Sequence, residues 1–359
     1  MTWPPPATTP TAVRIGLFLN LGANLGTNAT EVVHLTLEQA RRAEAAGLDE
    51  LWVTEHHCIG FGINPSALTT AGFLLGRTER IRVGTAVTLA PLQHPVELAE
   101  RGALLDQLSG GRFELGIGRG GYLKDYEVLD VDVARWEDEP LHSADAILRA
   151  WAEPDLARPE HDTGPSVLQP RPLTEPHPPL LLATRTPEAI RFAARHDLAL
   201  QHYFASPVEQ RTEIEAIYAD ERPAGPTSGH LHALIVVVDD DIDETRRVLA
   251  HRLTESFRAG DWPYVPQLGD RHANPDGTRR DPAAMAEQVA GAAIVGPPEL
   301  VADELAAFVA ATDASRLACF VEAVADPQRI HRTIDVLAAL DLAPPVPTRT
   351  AGASPTPGP

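Results

Sequence analysis

Cysteine is nearly absent from this sequence: only Cys58 and Cys319 occur, far apart and in no CxxC pattern. That argues against a secreted disulfide framework and against a zinc module. Positive charge is scarce as well. Against 50 Asp and Glu stand 30 Lys and Arg, a formal net charge of -20, so nucleic acid and anionic lipid repel the chain. No apolar run approaches the ~18 residues of a membrane span. The opening "MTWPPPATTPTA" has neither the basic n-region nor the apolar h-region of a signal peptide. The expectation is a soluble cytoplasmic protein with no nucleic-acid or membrane partner. At 359 residues the chain can bury a large core without disulfides or metal, and it fits one (β/α)-barrel domain.

Proline crowds both ends, so 1–12 and 341–359 read as disordered or polyproline-like tails. Between them, over 13–340, short apolar runs alternate with helical patterns. Strands are expected at 13–19, 50–53, 81–89, 112–118, 179–184, 198–203, 230–239 and 316–324. The helices that follow them begin near residues 31, 64, 95, beyond Trp136, then near 187, 207, 243 and 326. The first ends at Gly47, where a left-handed residue is wanted, and the third has Pro95 in its first turn. Near-continuous apolar strands, each followed by a helix, imply a parallel sheet covered by helices. Eight such units favour closure into a (β/α)8 TIM barrel over an open doubly wound sheet. The stretch 258–296, rich in Gly, Pro and charge, falls between the seventh and eighth strands. It is too long for a simple connector and is read as an insertion and candidate lid.

In such a barrel, sites lie where strands end, on the βα loops. That rule picks out Glu55, His56 and His57 after the second strand, and Thr85 and Ala86 at the end of the third. Arg119 follows the fourth, Thr184, Arg185 and Thr186 the fifth; Gln201 and His202 end the sixth, and Glu322 the eighth. Gly116, Gly118 and Gly121 formally match G-x-G-x-x-G, but no amphipathic helix opens behind them. What remains is a glycine-rich turn with Arg119, suited to a phosphate or simply a tight turn with a surface arginine. Thr186 reads as an N-cap with Pro187 at N1, leaving N–H groups that attract an anion. Many helices begin this way without binding anything.

Adjacent histidines converge poorly on one ion, and no HExxH is present. The only H-x-H, His230-Leu231-His232, starts the seventh strand, which puts it at the opposite end of the barrel. No metal site is expected. A histidine beside a carboxylate fits acid/base work, or a loop with purely structural hydrogen bonds; the residues alone leave both open.

Residues 50–126 carry a longer series of motifs: E-H-H then F-G, N-P before a helix, and T-E-x-I-x-V-G-T-A. H-P-V, L-L-D-Q-x-S-x-G-R-F and G-I-x-R-G follow. Together they resemble the bacterial luciferase-like flavin-dependent monooxygenases, most closely the luciferase α-subunit branch. Weaker similarity runs over about 13–340 and includes "IVGPPELVADEL". The resemblance implies a TIM barrel that binds reduced FMN (FMNH2) supplied by a separate, transiently bound flavin reductase. With O2, a C4a-hydroperoxyflavin would then oxygenate a small organic substrate. A homodimer is expected, and the Ala/Pro/Arg-rich usage hints at a role in natural-product biosynthesis.

Carried over residue by residue, His56 matches the family's catalytic histidine, with His57 and Glu55 as supporting neighbours. Arg119 matches the arginine that clamps the FMN phosphate, and Thr186 a phosphate-contacting hydroxyl, with Thr184 and Arg185 beside it. Tyr122 falls on a flavin-site position, and Ala86-Val87 on the segment where the family has a non-prolyl cis peptide under the isoalloxazine. Arg135 aligns as a second phosphate contact only across a short gap. Two departures stand out. The luciferase reactive-cysteine position is Gly118, and the acidic residue expected after the fifth strand is Arg185. Light emission is therefore not implied, and the substrate stays open, as does the choice among hydroxylation, Baeyer–Villiger oxygenation and N-oxidation. The alternatives are an F420-dependent oxidoreductase of the same superfamily, where a D-H-F-like sequence tends to replace E-H-H, a non-catalytic flavin-binding partner subunit, and a metal-hydrolase barrel.

Overall fold

A computed structural model describes residues 12–22, 28–122, 124–137, 139–153, 155–156, 166–222, 229–259 and 281–342. Ten strands are formed among them: β1 (Arg14–Leu19), β2 (Glu50–Val53), β3 (Arg82–Thr85), β4 (Thr88–Leu89), β5 (Phe113–Gly118), β6 (Leu180–Ala183), β7 (Ala199–His202), β8 (Leu231–Val238), β9 (Ile294–Gly296) and β10 (Arg316–Phe320). All their pairings are parallel. The order β10-β1-β2-β3-β5-β6-β7-β8 closes through a β8–β10 pairing, which makes the expected (β/α)8 TIM barrel. β9 is an extra strand laid on the end of β8, Val236 to Val238 against Ile294 to Gly296.

The strands are buried on both faces, as parallel strands under helices must be. Glycines stop two of the covering helices in left-handed caps: Gly47 after Ala29–Ala46 and Gly110 after Pro95–Ser109. The expected strand 81–89 is broken. β3 and β4 flank a cis peptide between Ala86 and Val87, and both pieces pair with β5. Of the 258–296 insertion, a helix at Pro282–Ala292 packs against the helix Ile242–Ala259 and leads into β9. Residues 260–280, the bulk of the candidate lid, lie outside the described residues, as do most of both tails. Leu342 is buried, and its carbonyl accepts the Val13 N–H at 3.3 Å.

The strands' N-terminal ends are plugged by charge. Arg316 is 1 % exposed and donates to Glu50 (3.1 Å) and Glu114 (2.6 Å), while its guanidinium lies 5.0 Å from the Trp52 ring centre. Arg14 adds a contact to Glu50 at 2.8 Å, and Arg82 one to Glu114 at 2.6 Å. Burial alone would raise the Glu114 pKa, but Arg316, Arg82 and Arg14 hold its carboxyl well below the ordinary range.

One expectation about placement is corrected by the strand register. The sequence pattern puts His230 and His232 at the far end of the barrel, because they open their strand. Parallel pairing sets Gln201 opposite Leu231 and His202 opposite His232, so the start of β8 is level with the end of β7. Barrel closure requires such stagger, and a sequence does not display it.

Candidate active site

A cavity of about 440 Å³ opens where β2, β3, β5, β6 and β7 end. Of the residues singled out in the sequence, Glu55, His56, Ala86, Val87, Arg119, Tyr122, Thr184, Arg185, Thr186, Gln201 and His202 line it. His57, Thr85, Arg135 and Glu322 do not. Arg135 instead donates to the Gln93 carbonyl at 3.2 Å.

His56 is set deep in this wall. Its ring meets Phe61 and Tyr122 edge-on, with centres 5.2 and 5.7 Å away. Its backbone N–H donates to the Asn64 carbonyl at 2.8 Å, and its Nε2 is 3.2 Å from Asn20 Oδ1. Burial, with His57 next to it, pushes the His56 pKa down to about 3. Burial thus favours the neutral ring.

Glu55 is a brace. One carboxylate oxygen accepts the Ala67 N–H (2.9 Å) at the start of the helix Ala67–Leu75; the other accepts the Leu89 N–H (3.1 Å) and Gln93 Nε2 (3.2 Å). It thus ties the loop after β2 to a helix N-terminus, where negative charge is favoured, and to the segment beyond the cis peptide. His57 Nε2 stands 3.7 Å from Glu55, which raises the His57 pKa. Its backbone N–H reaches Asp125 Oδ1 at 3.3 Å, while the buried Asp125 Oδ2 has no partner among the described residues. Burial pushes the Asp125 pKa up to about 7, against the pull of His57.

The cis peptide Ala86-Val87 occupies the segment where the motif match implied one. The Thr85 hydroxyl donates to the Gly116 carbonyl at 2.7 Å, and the Thr85 carbonyl accepts from Gln201 Nε2 at 2.9 Å. The cavity floor is backbone here by necessity. A Cβ on Gly118 would sit 2.8 Å from Val87 Cγ2 and 3.2 Å from the Ala183 Cβ. Gln201 Oε1 is buried with no partner among the described residues, an acceptor left over in the cavity wall.

Cationic and N–H donors gather along the same cavity. The Arg119 guanidinium lies 5.1 Å from the Trp136 ring centre, and its carbonyl accepts the Tyr126 hydroxyl at 2.9 Å. Thr186 caps the helix Pro187–Arg195, and its N–H donates to Thr184 Oγ1 at 3.3 Å. The missing Cβ over the cis peptide and the donor-rich wall suit a planar cofactor with an anionic tail.

At the edge of the cavity, which His202 lines, His202, Glu215 and His232 have ligand atoms close enough to share an ion. Their hydrogen bonds put protons where a metal would need lone pairs. His232 Nδ1 faces the Arg211 guanidinium at 3.3 Å, a group with no lone pair, so that ring carries its proton on Nε2. His230 Nδ1 accepts the Leu200 N–H, which likewise leaves its Nε2 to donate to Glu215 at 3.0 Å. His202 Nε2 completes the set at 2.7 Å from Glu215. The cluster is closed on itself.

Sequence reasoning misses Asn20 and Asp125. Asn20 directly follows β1, so the rule that selected Glu55 to His57 applied equally to it. Asp125 carries no such signal, since its burial depends on the loop after β5 folding back.

Comparison with known proteins fits this geometry. The family model described as luciferase-like monooxygenase matches residues 13–315. The oxygenase component of the flavin-dependent trigonelline monooxygenase from Acinetobacter baylyi is 30% identical over 46% of this chain and 47% of that protein. An alkanal monooxygenase alpha chain from Photorhabdus luminescens is 38% identical over 34% of this chain and 32% of its own. The aligned region thus spans less than half of either relative. The crystal structure of a monooxygenase from Streptomyces bottropensis superposes with a TM-score of 0.73, covering 90% of this chain and 97% of that one at 23% identity.

Proposed function

Because the chain belongs to the luciferase-like monooxygenase family, we propose that it is the oxygenase of a two-component system, using FMNH2 and O2 to oxygenate a small organic molecule. The observation that carries this reading is a single cavity joining His56, the Ala86-Val87 cis peptide and Arg119. Bound reduced flavin supplies the oxygen activation. The chain's residues bind, orient, exclude water and handle protons. The cis segment and Gly118 would take the flat face of the ring system. Arg119, Thr184, Arg185 and Thr186 would hold the phosphate, the arginine by a fork of N–H donors and the helix start by its N–H groups. Phe61, Tyr122 and Phe204 make the wall apolar, which keeps water from the reacting centre. His56 would accept or return the substrate proton. Its pKa of about 3 is that of a weak base, and a negative charge bound beside it would raise it toward the useful range.

A reductase partner, a cytoplasmic setting where that reductase works, and a homodimer belong to the same proposal. For the last, Phe73 on the helix Ala67–Leu75 and Leu104 and Leu108 on the adjacent helix Pro95–Ser109 are exposed apolar residues that a second copy would cover.

His56→Ala tests the assignment. The variant is expected to keep FMN affinity while product yield per O2 falls by about 10²-fold or more and hydrogen peroxide takes its place. Undiminished product would sink the role given to His56. Mixing the chain separately with reduced FMN and reduced F420 and following absorbance separates the two cofactor readings.

A further inference from the structure

We propose that Asn20 is a positioning residue that fixes the tautomer of His56, holding the proton on Nε2 and making Nδ1 the atom that exchanges protons in the cavity. The inference rests on the reading of His56 as the acid/base group.

Asn20 is 1 % exposed and cannot turn. Its backbone N–H donates to Glu322 Oε1 at 2.6 Å, and Glu322 in turn accepts Gln39 Nε2 at 3.2 Å. The Asn20 amide nitrogen donates to the Phe61 carbonyl at 2.7 Å. That bond decides which way the amide faces, because a flipped amide would press Oδ1 against the Phe61 oxygen, acceptor on acceptor. Oδ1 is therefore turned toward the Thr54 hydroxyl and His56 Nε2, both 3.2 Å away. An amide oxygen only accepts, so Nε2 must donate. A neutral imidazole has one N–H, and here it is spent on Asn20.

The ring cannot escape the arrangement by rocking. A Cβ on Gly62 would lie 2.5 Å from His56 Cδ2 and 2.7 Å from the Asn20 carbonyl oxygen, so that edge is packed against backbone. Phe61 and Tyr122 confine the ring as well. A proton taken up in turnover then arrives at Nδ1. The ring becomes an imidazolium, Nε2–H stays on Asn20, and the same proton leaves from Nδ1.

Nitrogen-15 NMR of histidine-labelled protein reads this directly, with His56 assigned by the signal missing from His56→Gln. Wild type is expected to show a protonated, pyrrole-type Nε2 and an unprotonated Nδ1 at pH 7. Asn20→Leu should lose this single form and give signals averaged between tautomers, with at least a tenfold loss of oxygenated product per O2. Asn20→Asp, which keeps the acceptor toward Nε2 but sets a carboxylate oxygen against the Phe61 carbonyl in place of the N–H donor, should retain the Nε2–H form and recover only part of the coupling. An Nδ1–H tautomer in the wild type overturns the proposal by itself, and so does an unchanged His56 spectrum in Asn20→Leu. If the spectra behave as expected while His56→Ala still oxygenates normally, the tautomer assignment stands and the catalytic reading of His56 falls.

Discussion

Asp125 shows how much of a site depends on single buried atoms. The residue is 1 % exposed, one carboxylate oxygen has no partner among the described residues, and burial pushes its pKa up to about 7. An unfolded aspartate gives up its proton near pH 4. Between those values the native state binds the extra proton, so stability must fall as pH rises through about 4 to 7. The raised pKa of His57 acts in the same direction, since its stabilising charge is lost as pH climbs through its folded value. Asp125→Asn removes the carboxyl and keeps the acceptor for the His57 N–H. The variant is expected to be stabilised by roughly 2–4 kcal/mol at pH 8 and to flatten the pH dependence. Thermal melts at pH 5 and pH 8 measure both, and a variant with the wild-type slope would contradict the assignment. The sequence made residues 55–57 visible because they end a strand in a motif series. It could not reveal Asp125, whose chemistry comes entirely from what folds over it.

At the scale of the element, hydrophobic patterning announced the strands, and the structure keeps eight of them as the barrel wall. Patterning failed where geometry overrides it. Residues 81–89 read as one apolar run, yet the cis peptide divides them into β3 and β4, and the Glu55 carboxylate holds the second piece through Leu89. The helix expected from about residue 64 begins at Ala67, because Asn64 is drawn into bonds with the Thr54 carbonyl and the Thr70 hydroxyl. The charged plug is a further element-level feature hidden from periodicity: Arg14, Glu50, Arg82 and Arg316 are each the first residue of a strand. Arg316→Leu would leave Glu50 and Glu114 buried without their central cation. A loss of about 3–5 kcal/mol is expected, read from the chemical-denaturation midpoint. An unchanged midpoint would show the remaining arginines to be sufficient.

For the whole molecule, the division of labour is between the two ends of the barrel. Charge pairs close the end where strands begin, and the end where they finish holds the cavity. No helix among the described residues is long and apolar enough to cross a membrane. The net charge of -20 makes an anion-holding site depend on locally placed donors, and Arg119 is one of the four cavity residues proposed to hold a phosphate. The most direct test is therefore an anaerobic titration of wild type and Arg119→Ala with photoreduced FMN and with reduced riboflavin. The expected result is saturable FMN binding by the wild type, weakened at least tenfold in Arg119→Ala, with riboflavin affinity little changed between the two proteins. Absence of FMN binding by the wild type, or an equal loss for both ligands in the variant, would contradict a flavin site clamped at its phosphate.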